Sequence, residues 1–333
     1  MFKAIVFGII EFFFLFIIIV LLNRIPESCD PILFIVIYCF VACVLSVAAH
    51  GVQICVVAVA TIFGKYNINS FTIGMDLGGF FVAVTAFVSA VTTKKTYSVM
   101  SSLVESVIFV ACFLIFAFFF ARSKDYAKRM LKVHKEKQRK ICLLNRGVWD
   151  LKKKPATRRR PLNPFYCFQF LLYLQTFTIY PGTLLSVVPY DKSKEVWFHS
   201  LTVFVNFSFW ALFVSIVCHY IHSKIFLNKT HILSGVVITR FIIIGLLYLG
   251  TNYKPDKPRP KTLFDPFIGD WVYFFLISLF AITHSFVASM ADIAVGYEGK
   301  NTPSSKRGEK LVIIKNVGIY SGLAINMLLN KIY

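Results

Sequence analysis

The sequence has no Cys-x-x-Cys pair, no His-Glu-x-x-His, no Gly-x-Ser-x-Gly and no phosphate-binding loop. Nothing in it therefore points to a zinc module, a metalloprotease, a serine hydrolase or a nucleotide-hydrolysing site. The eight cysteines, at 29, 39, 43, 55, 112, 142, 167 and 218, mostly fall inside apolar blocks and suggest no disulfide framework. Cys39 and Cys43 share a helix face, where two thiols behave as packing groups. Carboxylates are scarce, 16 Asp and Glu against 36 Lys and Arg, which leaves a formal charge of +20. This excess does not describe a nucleic-acid-binding surface, because sixteen of the basic residues lie in one stretch, Arg122 to Arg160. It is a loop property, and no nucleic-acid partner is expected. No small-x-small cleavage site follows the first apolar run, Ala4–Leu22, so that run reads as a retained span and not as a signal peptide.

What is abundant is apolar. Hydrophobic residues make up 57% of the chain, Phe alone contributes 36, and the mean hydropathy is +0.69. Soluble domains run near about 45–50% apolar. The excess is gathered in blocks near the ~20 residues that cross a bilayer as a helix. Barrel strands would be ~10 residues long and alternating. Lipid leaves no other way to satisfy backbone N–H and C=O groups. The fold class is therefore all-α, a polytopic membrane helical bundle with about nine transmembrane helices. The spans run 4–22, 32–63, 71–92, 99–121, 165–189, 197–221, 232–250, 270–295 and 311–330. The second is long enough to tilt or to end in an interfacial turn. Asn23-Arg24-Ile25-Pro26 closes the first span, and Pro31 suits a first helical position behind Asp30. Lys254-Pro255-Asp256-Lys257-Pro258-Arg259-Pro260 reads as a rigid polar loop.

Three regions follow: an N-terminal half of four spans (1–121), a basic cytoplasmic linker (122–163) and a C-terminal half of five spans (164–333). Arg122 to Lys140 is compatible with a charged extension of the preceding helix, and Lys152–Lys154 with Arg158–Arg160 reads as a mobile basic tract. With the linker in the cytoplasm, the inner side holds 24 Lys and Arg and the outer side 10. Without the linker the count is 8 against 10, so the orientation, N-terminus inside, rests on that loop. The linker's charge also suits anionic lipid on the cytoplasmic leaflet.

Polar residues within spans face a cavity or a partner helix. Ser46, His50 and Gln53 recur on one face of the second span. Ser278, Ser285, Ser289 and Asp292 form a stripe on the eighth, beside Thr283 and His284. Asp76, Asn206, Arg240, Lys315 and Asn316 are embedded in other spans. Arg240 needs a carboxylate or several carbonyls, with Asp76 or Asp292 as candidates. Interhelical hydrogen bonding accounts for the Ser and Thr residues without any transport role, and Gly74-x-x-x-Gly78 is expected to be a close-packing surface. His219 and His222, with His231 nearby, sit at a span end without a carboxylate beside them, so no metal site is expected.

The order of these pieces resembles the equilibrative nucleoside transporter family. Thr178-Ile179-Tyr180-Pro181-Gly182 is similar to the family's seventh helix. Thr239-Arg240-Phe241 with Asn252-Tyr253-Lys254-Pro255 is similar to its ninth, and Asp270-Trp271 through Thr283-His284-Ser285-Phe286-Val287-Ala288-Ser289 to its tenth. Gly74-Met75-Asp76-Leu77-Gly78-Gly79 resembles the fifth helix, and Gln53 aligns with a cavity-lining Gln of the fourth. The resemblance implies a fold related to the major facilitator type, with the first two helices missing. It also implies cofactor-free facilitated diffusion of nucleosides or nucleobases by alternating access, in a multi-pass protein of the plasma membrane. A cavity lined by Gln53, Asn206, Trp210, Arg240, His284 and Ser289 is the expected substrate site, with no catalytic residue and no metal. There are departures. Phe209 and Phe213 stand where the eighth helix of the family carries Asp and Arg, His284 and Ser285 replace Asn and Gly, and Gly245 replaces a Pro. These favour, as an alternative, a non-transporting relative that scaffolds partners. A membrane-embedded transferase is the third reading.

Overall fold

A hydrocarbon core about 30 Å thick is crossed by about 20 helical residues, and eight helices among the described residues are long and apolar enough to do so. The structure is a computed structural model that describes residues 1–24, 31–63, 65–92, 95–145, 164–185, 198–221, 230–251, 270–297 and 305–332. Its elements are α1 (Phe2–Arg24), α2 (Pro31–Phe63), α3 (Lys65–Thr92), α4 (Lys95–Arg122), α5 (Lys124–Asn145), α6 (Pro164–Ile179), the single turn α7 (Gly182–Leu185), α8 (Phe198–Tyr220, wound as a π-helix over Phe198–Val205), α9 (Thr230–Thr251), α10 (Asp270–Tyr297) and α11 (Ser305–Ile332). No strand occurs among the described residues. The protein is an integral, multi-pass helical membrane protein. The Pro-rich loop 254–260, the tract 152–160, the Asn252–Pro255 motif that follows Thr239-Arg240-Phe241, and His222 lie outside the described residues.

Two expected elements take a different form. The span expected at 165–189 is a helix of 16 residues, α6, which stops at Ile179. Pro181 lacks an N–H and its ring would clash with the carbonyl four residues back, so the helix cannot run on. The chain turns through a cis Tyr180–Pro181 bond into α7. The basic segment after α4 is a separate helix, not an extension of it. The break falls at Ser123, whose Oγ accepts the Tyr126 N–H at 3.2 Å while Asp125 occupies the first turn of α5. Both features favour a helix N-terminus. By contrast α2 is one unbroken helix, and its apolar stretch Ile35–Phe63 has 29 residues, or about 43 Å at 1.5 Å per residue, a length that favours tilt in the bilayer.

The helices form two compact units. The first comprises Met1–Gly64, Val107–Asn163 and Gly299–Glu309. Here α1 packs along α2, with Gly51 against the Phe7 ring and Gly8 against Leu114 of α4. Phe63, Phe120 and Tyr126 make an aromatic cluster with ring centroids 5.3–6.4 Å apart. The Met1 ammonium donates to the Tyr126 hydroxyl at 3.3 Å. Burial pushes the Tyr126 phenol above its usual pKa, so the group stays neutral in this contact.

The second unit comprises Lys65–Ser106, Pro164–Glu298 and Lys310–Tyr333. Its centre is α10, which contacts α3, α6, α8 and α9. Of the spanning stretch of α10, 56% is buried in protein, against 6–22% for α1 to α4. Polar groups on α10 therefore meet other helices and not lipid. The apolar core gathers Ile277, Phe280 and Ala281 of α10 with Phe207 and Ala211 of α8, Ile243 and Leu247 of α9, and Ile179 of α6.

Close packing falls on different glycines from those expected. Gly74, Gly78 and Gly79 face open space, whereas a Cβ on Gly318 or Gly322 of α11 would lie 2.7 or 2.6 Å from the Phe170 or Leu174 carbonyl of α6. Gly322→Val is expected to lose about 1–3 kcal/mol by overpacking against rigid backbone. Gly78→Ala is expected to be neutral, or stabilising by up to ~1 kcal/mol through helix propensity. Thermal unfolding of the two variants in detergent compares them directly.

Candidate functional site

The buried polar side chains of the second unit form two clusters. The first surrounds Asp292 of α10. The Lys315 ammonium of α11 lies 2.8 Å from Asp292 Oδ2, with both side chains almost fully buried. Thr72 of α3 donates to the same oxygen at 2.7 Å, and Gln169 Nε2 of α6 donates to Oδ1 at 2.8 Å. One carboxylate thus accepts from three helices. A charge in this setting survives only because it is paired and hydrogen-bonded. Gln169 Nε2 also donates to the Ala288 carbonyl, while its Oε1 is buried without a hydrogen bond among the described residues. One level further along α3, Ser215 of α8 donates to Asp76, and Ser289 donates to Ser215 at 3.4 Å.

The second cluster surrounds Arg240 of α9, which is fully buried. Its Nη1 donates to the Phe280 carbonyl at 2.7 Å and to Thr283 Oγ1 at 2.8 Å, Nη2 to Thr176 Oγ1 at 2.7 Å, and Nε to Gln175 Oε1 at 3.3 Å. The guanidinium carbon also stands 4.2 Å from the centre of the Phe280 ring. No carboxylate pairs with Arg240 among the described residues. The expectation that Asp76 or Asp292 would serve it is corrected: Lys315 holds Asp292, and Ser215 reaches Asp76. A carbonyl, two hydroxyls, an amide oxygen and a ring face take the guanidinium instead. The planar fork makes this workable, since its donors point at several acceptors at once. His284 Nδ1 lies 2.8 Å from Thr176 Oγ1, which joins the imidazole to the same network. Tyr173 connects the two clusters. Its ring meets His284 edge-on at 5.2 Å and lies 5.6 Å from the Lys315 ammonium.

The residues expected to line a substrate site are distributed as follows. Arg240 and His284 share one network. Ser289 is fully buried beside Ser215. Asn206 holds α8 to α10, donating to the Phe274 carbonyl at 3.0 Å and accepting from Ser278 at 3.0 Å. Trp210 is half-buried, edge-on to Phe209 and Phe213. Gln53 lies in α2, in the first unit, one helical turn from His50, whose Nδ1 is 2.6 Å from the Ser46 carbonyl of its own helix. His219 lies 3.3 Å from the Asn69 amide. Among the described residues, no group of three or more His, Cys, Asp or Glu is placed to hold a metal ion.

The profile of a family described as nucleoside transporter matches residues 39–330. The chain belongs to the nucleoside transporter family. No curated protein matches it by sequence alone. The polar network on α3, α6, α8, α9, α10 and α11 is a buried hydrophilic region among the described residues. Five of its members were not singled out from the sequence: Gln169, Gln175 and Thr176 of α6, Thr72 of α3 and Ser215 of α8. Two amides and a hydroxyl inside the apolar run Pro164–Ile179 were a usable signal, since intramembrane polar groups seek partners. Against the family pattern, Phe209 and Phe213 keep their aromatic character in the fold. They stack on one another at 6.3 Å and stay about half exposed, with Phe80 of α3 at 6.1 Å from Phe209.

Proposed function

We propose that this nucleoside transporter family member moves nucleosides or nucleobases across the plasma membrane by facilitated diffusion and alternating access. The observation that carries this reading is the Arg240 network. A fully buried cation is held by neutral acceptors, so its charge remains available to an electron-rich ligand. In this reading Arg240, His284 and Ser289 recognise base or sugar edges, Trp210 stacks on the base, and Asn206 sets the position of α8. Four of the five Arg240 N–H groups are donated to the protein, so ligand contact involves exchange of a weak bond such as the 3.3 Å link to Gln175. Such exchange keeps binding loose enough for release on the far side. The N-terminus is placed in the cytoplasm, with the basic segment after α4 on the same side. No chemical step and no cofactor are involved.

The test is uptake of labelled uridine, adenosine and hypoxanthine into proteoliposomes. Saturable flux that unlabelled nucleoside competes away is expected. Absence of saturable flux from a folded, correctly inserted protein would sink the transport reading. The paired, exposed rings of Phe209 and Phe213 favour a second reading, a non-transporting scaffold, because phenyl rings cannot donate or accept hydrogen bonds to a ribose. Phe209→Asp with Phe213→Arg then gains uptake where the parent has none.

A further inference from the structure

α5 leaves the membrane-spanning part of the first unit in a fixed place. It begins one residue after α4 ends, and its Tyr126 stacks against Phe63 in the last turn of α2 and packs on Phe120 near the end of α4, while the hydroxyl accepts from the Met1 ammonium. Two spanning helices, α2 and α4, therefore end at Tyr126, and α5 starts at the level of their ends.

The helix has two faces. Lys124, Lys128, Lys132, Lys135 and Arg139 recur at intervals of three and four, on one side. Tyr126, Met130 and Val133 recur at the same intervals on the opposite side. Lys128, Arg129, Lys132, Lys135 and Arg139 line one groove with Leu131, and Asp125 is the carboxylate among them. Met130, on the apolar side, is 37% exposed, whereas Leu131, 54% exposed, lies among the cations. From Lys124 to Lys140 there are eight Lys and Arg against Asp125 and Glu136. A helix that only faced water would gain nothing from exposed Met and Leu, and its like charges would repel. An anionic lipid surface satisfies both: headgroups neutralise the cations around Leu131, and the acyl boundary takes the side that carries Met130 and Val133.

We propose that α5 is a membrane-surface helix that binds anionic phospholipid through Lys128, Lys132, Lys135 and Arg139. The inference is independent of the transport site, which lies in the second unit. Each cation at an anionic surface strengthens binding by roughly fivefold, so four of them hold the helix firmly at low salt and weakly at high salt.

The test is hydrogen exchange of the intact protein in nanodiscs of phosphatidylcholine, with and without phosphatidylserine. Exchange across 124–139 is expected to slow by about tenfold with phosphatidylserine, and high salt is expected to reverse the slowing. The variant carrying Lys128→Gln, Lys132→Gln, Lys135→Gln and Arg139→Gln is expected to show no difference between the two lipids, with exchange in α10 unchanged as the folding control. Equal exchange in both lipids overturns the proposal. So does slowing that survives in the four-Gln variant, or slowing reproduced by inorganic phosphate in pure phosphatidylcholine, which would mark a free-anion site instead of a lipid surface.

Discussion

Replacing Lys315 by methionine is expected to destabilise the protein by about 3–5 kcal/mol, because it leaves the Asp292 carboxylate charged, buried and without its counter-charge. Asp292 is completely buried and its other partners, Thr72 and Gln169, are neutral donors. Two hydrogen bonds cannot replace the ammonium 2.8 Å away. Asp292→Asn alone strands the Lys315 cation in the same way, so a loss of similar size follows. The double variant, Lys315→Met with Asp292→Asn, is expected to recover more than half of the loss. It removes both charges and keeps an acceptor oxygen for Gln169 or Thr72. Thermal and denaturant unfolding of the three variants in one detergent measures this. If the double variant is as unstable as the sum of the two single ones, charge pairing is not what Lys315 contributes.

The second large effect is on transport. Arg240→Ala is expected to reduce the initial rate of nucleoside uptake by about tenfold or more, with a stability loss beside it, since charge-assisted hydrogen bonds contribute ~1.5–3 kcal/mol each. Arg240→Lys discriminates better. It keeps the positive charge but has no planar fork, so it cannot serve Phe280, Thr283, Thr176 and Gln175 together. It is therefore expected to fall with the Ala variant in uptake while retaining more of the stability. Full uptake by Arg240→Lys would mean that charge alone suffices. Uptake and unfolding need to be measured on the same preparation, so that loss of fold and loss of recognition separate.

How much of this was legible beforehand depends on the interaction concerned. The spans were, because a run of apolar residues near bilayer length has one structural solution in lipid. Fine boundaries were less so. Pro181 stood in the sequence as a stop signal inside the expected span 165–189, and the apolar residues beyond it masked its effect. The separate start of α5 rested on one Ser–Tyr capping bond that reads from the sequence only as Ser, Lys, Asp, Tyr. Gly74-x-x-x-Gly78 matched the small-residue pattern for close packing, yet it faces open space, while Gly318 and Gly322 meet the α6 backbone. Spacing says that two glycines share a helix face, not what lies opposite that face.

The same limit governed the polar residues. The sequence by itself determined that Asp292, Lys315, Arg240 and His284 lie in apolar helices, and that each needs a partner, because the cost of an unpaired polar group in lipid is a property of the residue and its local surroundings. It also determined the basic character of the segment after α4, since sixteen of the 36 Lys and Arg fall between Arg122 and Arg160. Only the tertiary structure decided who pairs with whom. Asp292 finds Lys315 23 residues later and Thr72 220 residues earlier, and Arg240 finds Thr176, Gln175, Thr283 and a carbonyl instead of a carboxylate. Those choices are made by which helix faces meet around α10, and that is set by the packing of every side chain between them, which no local spacing encodes.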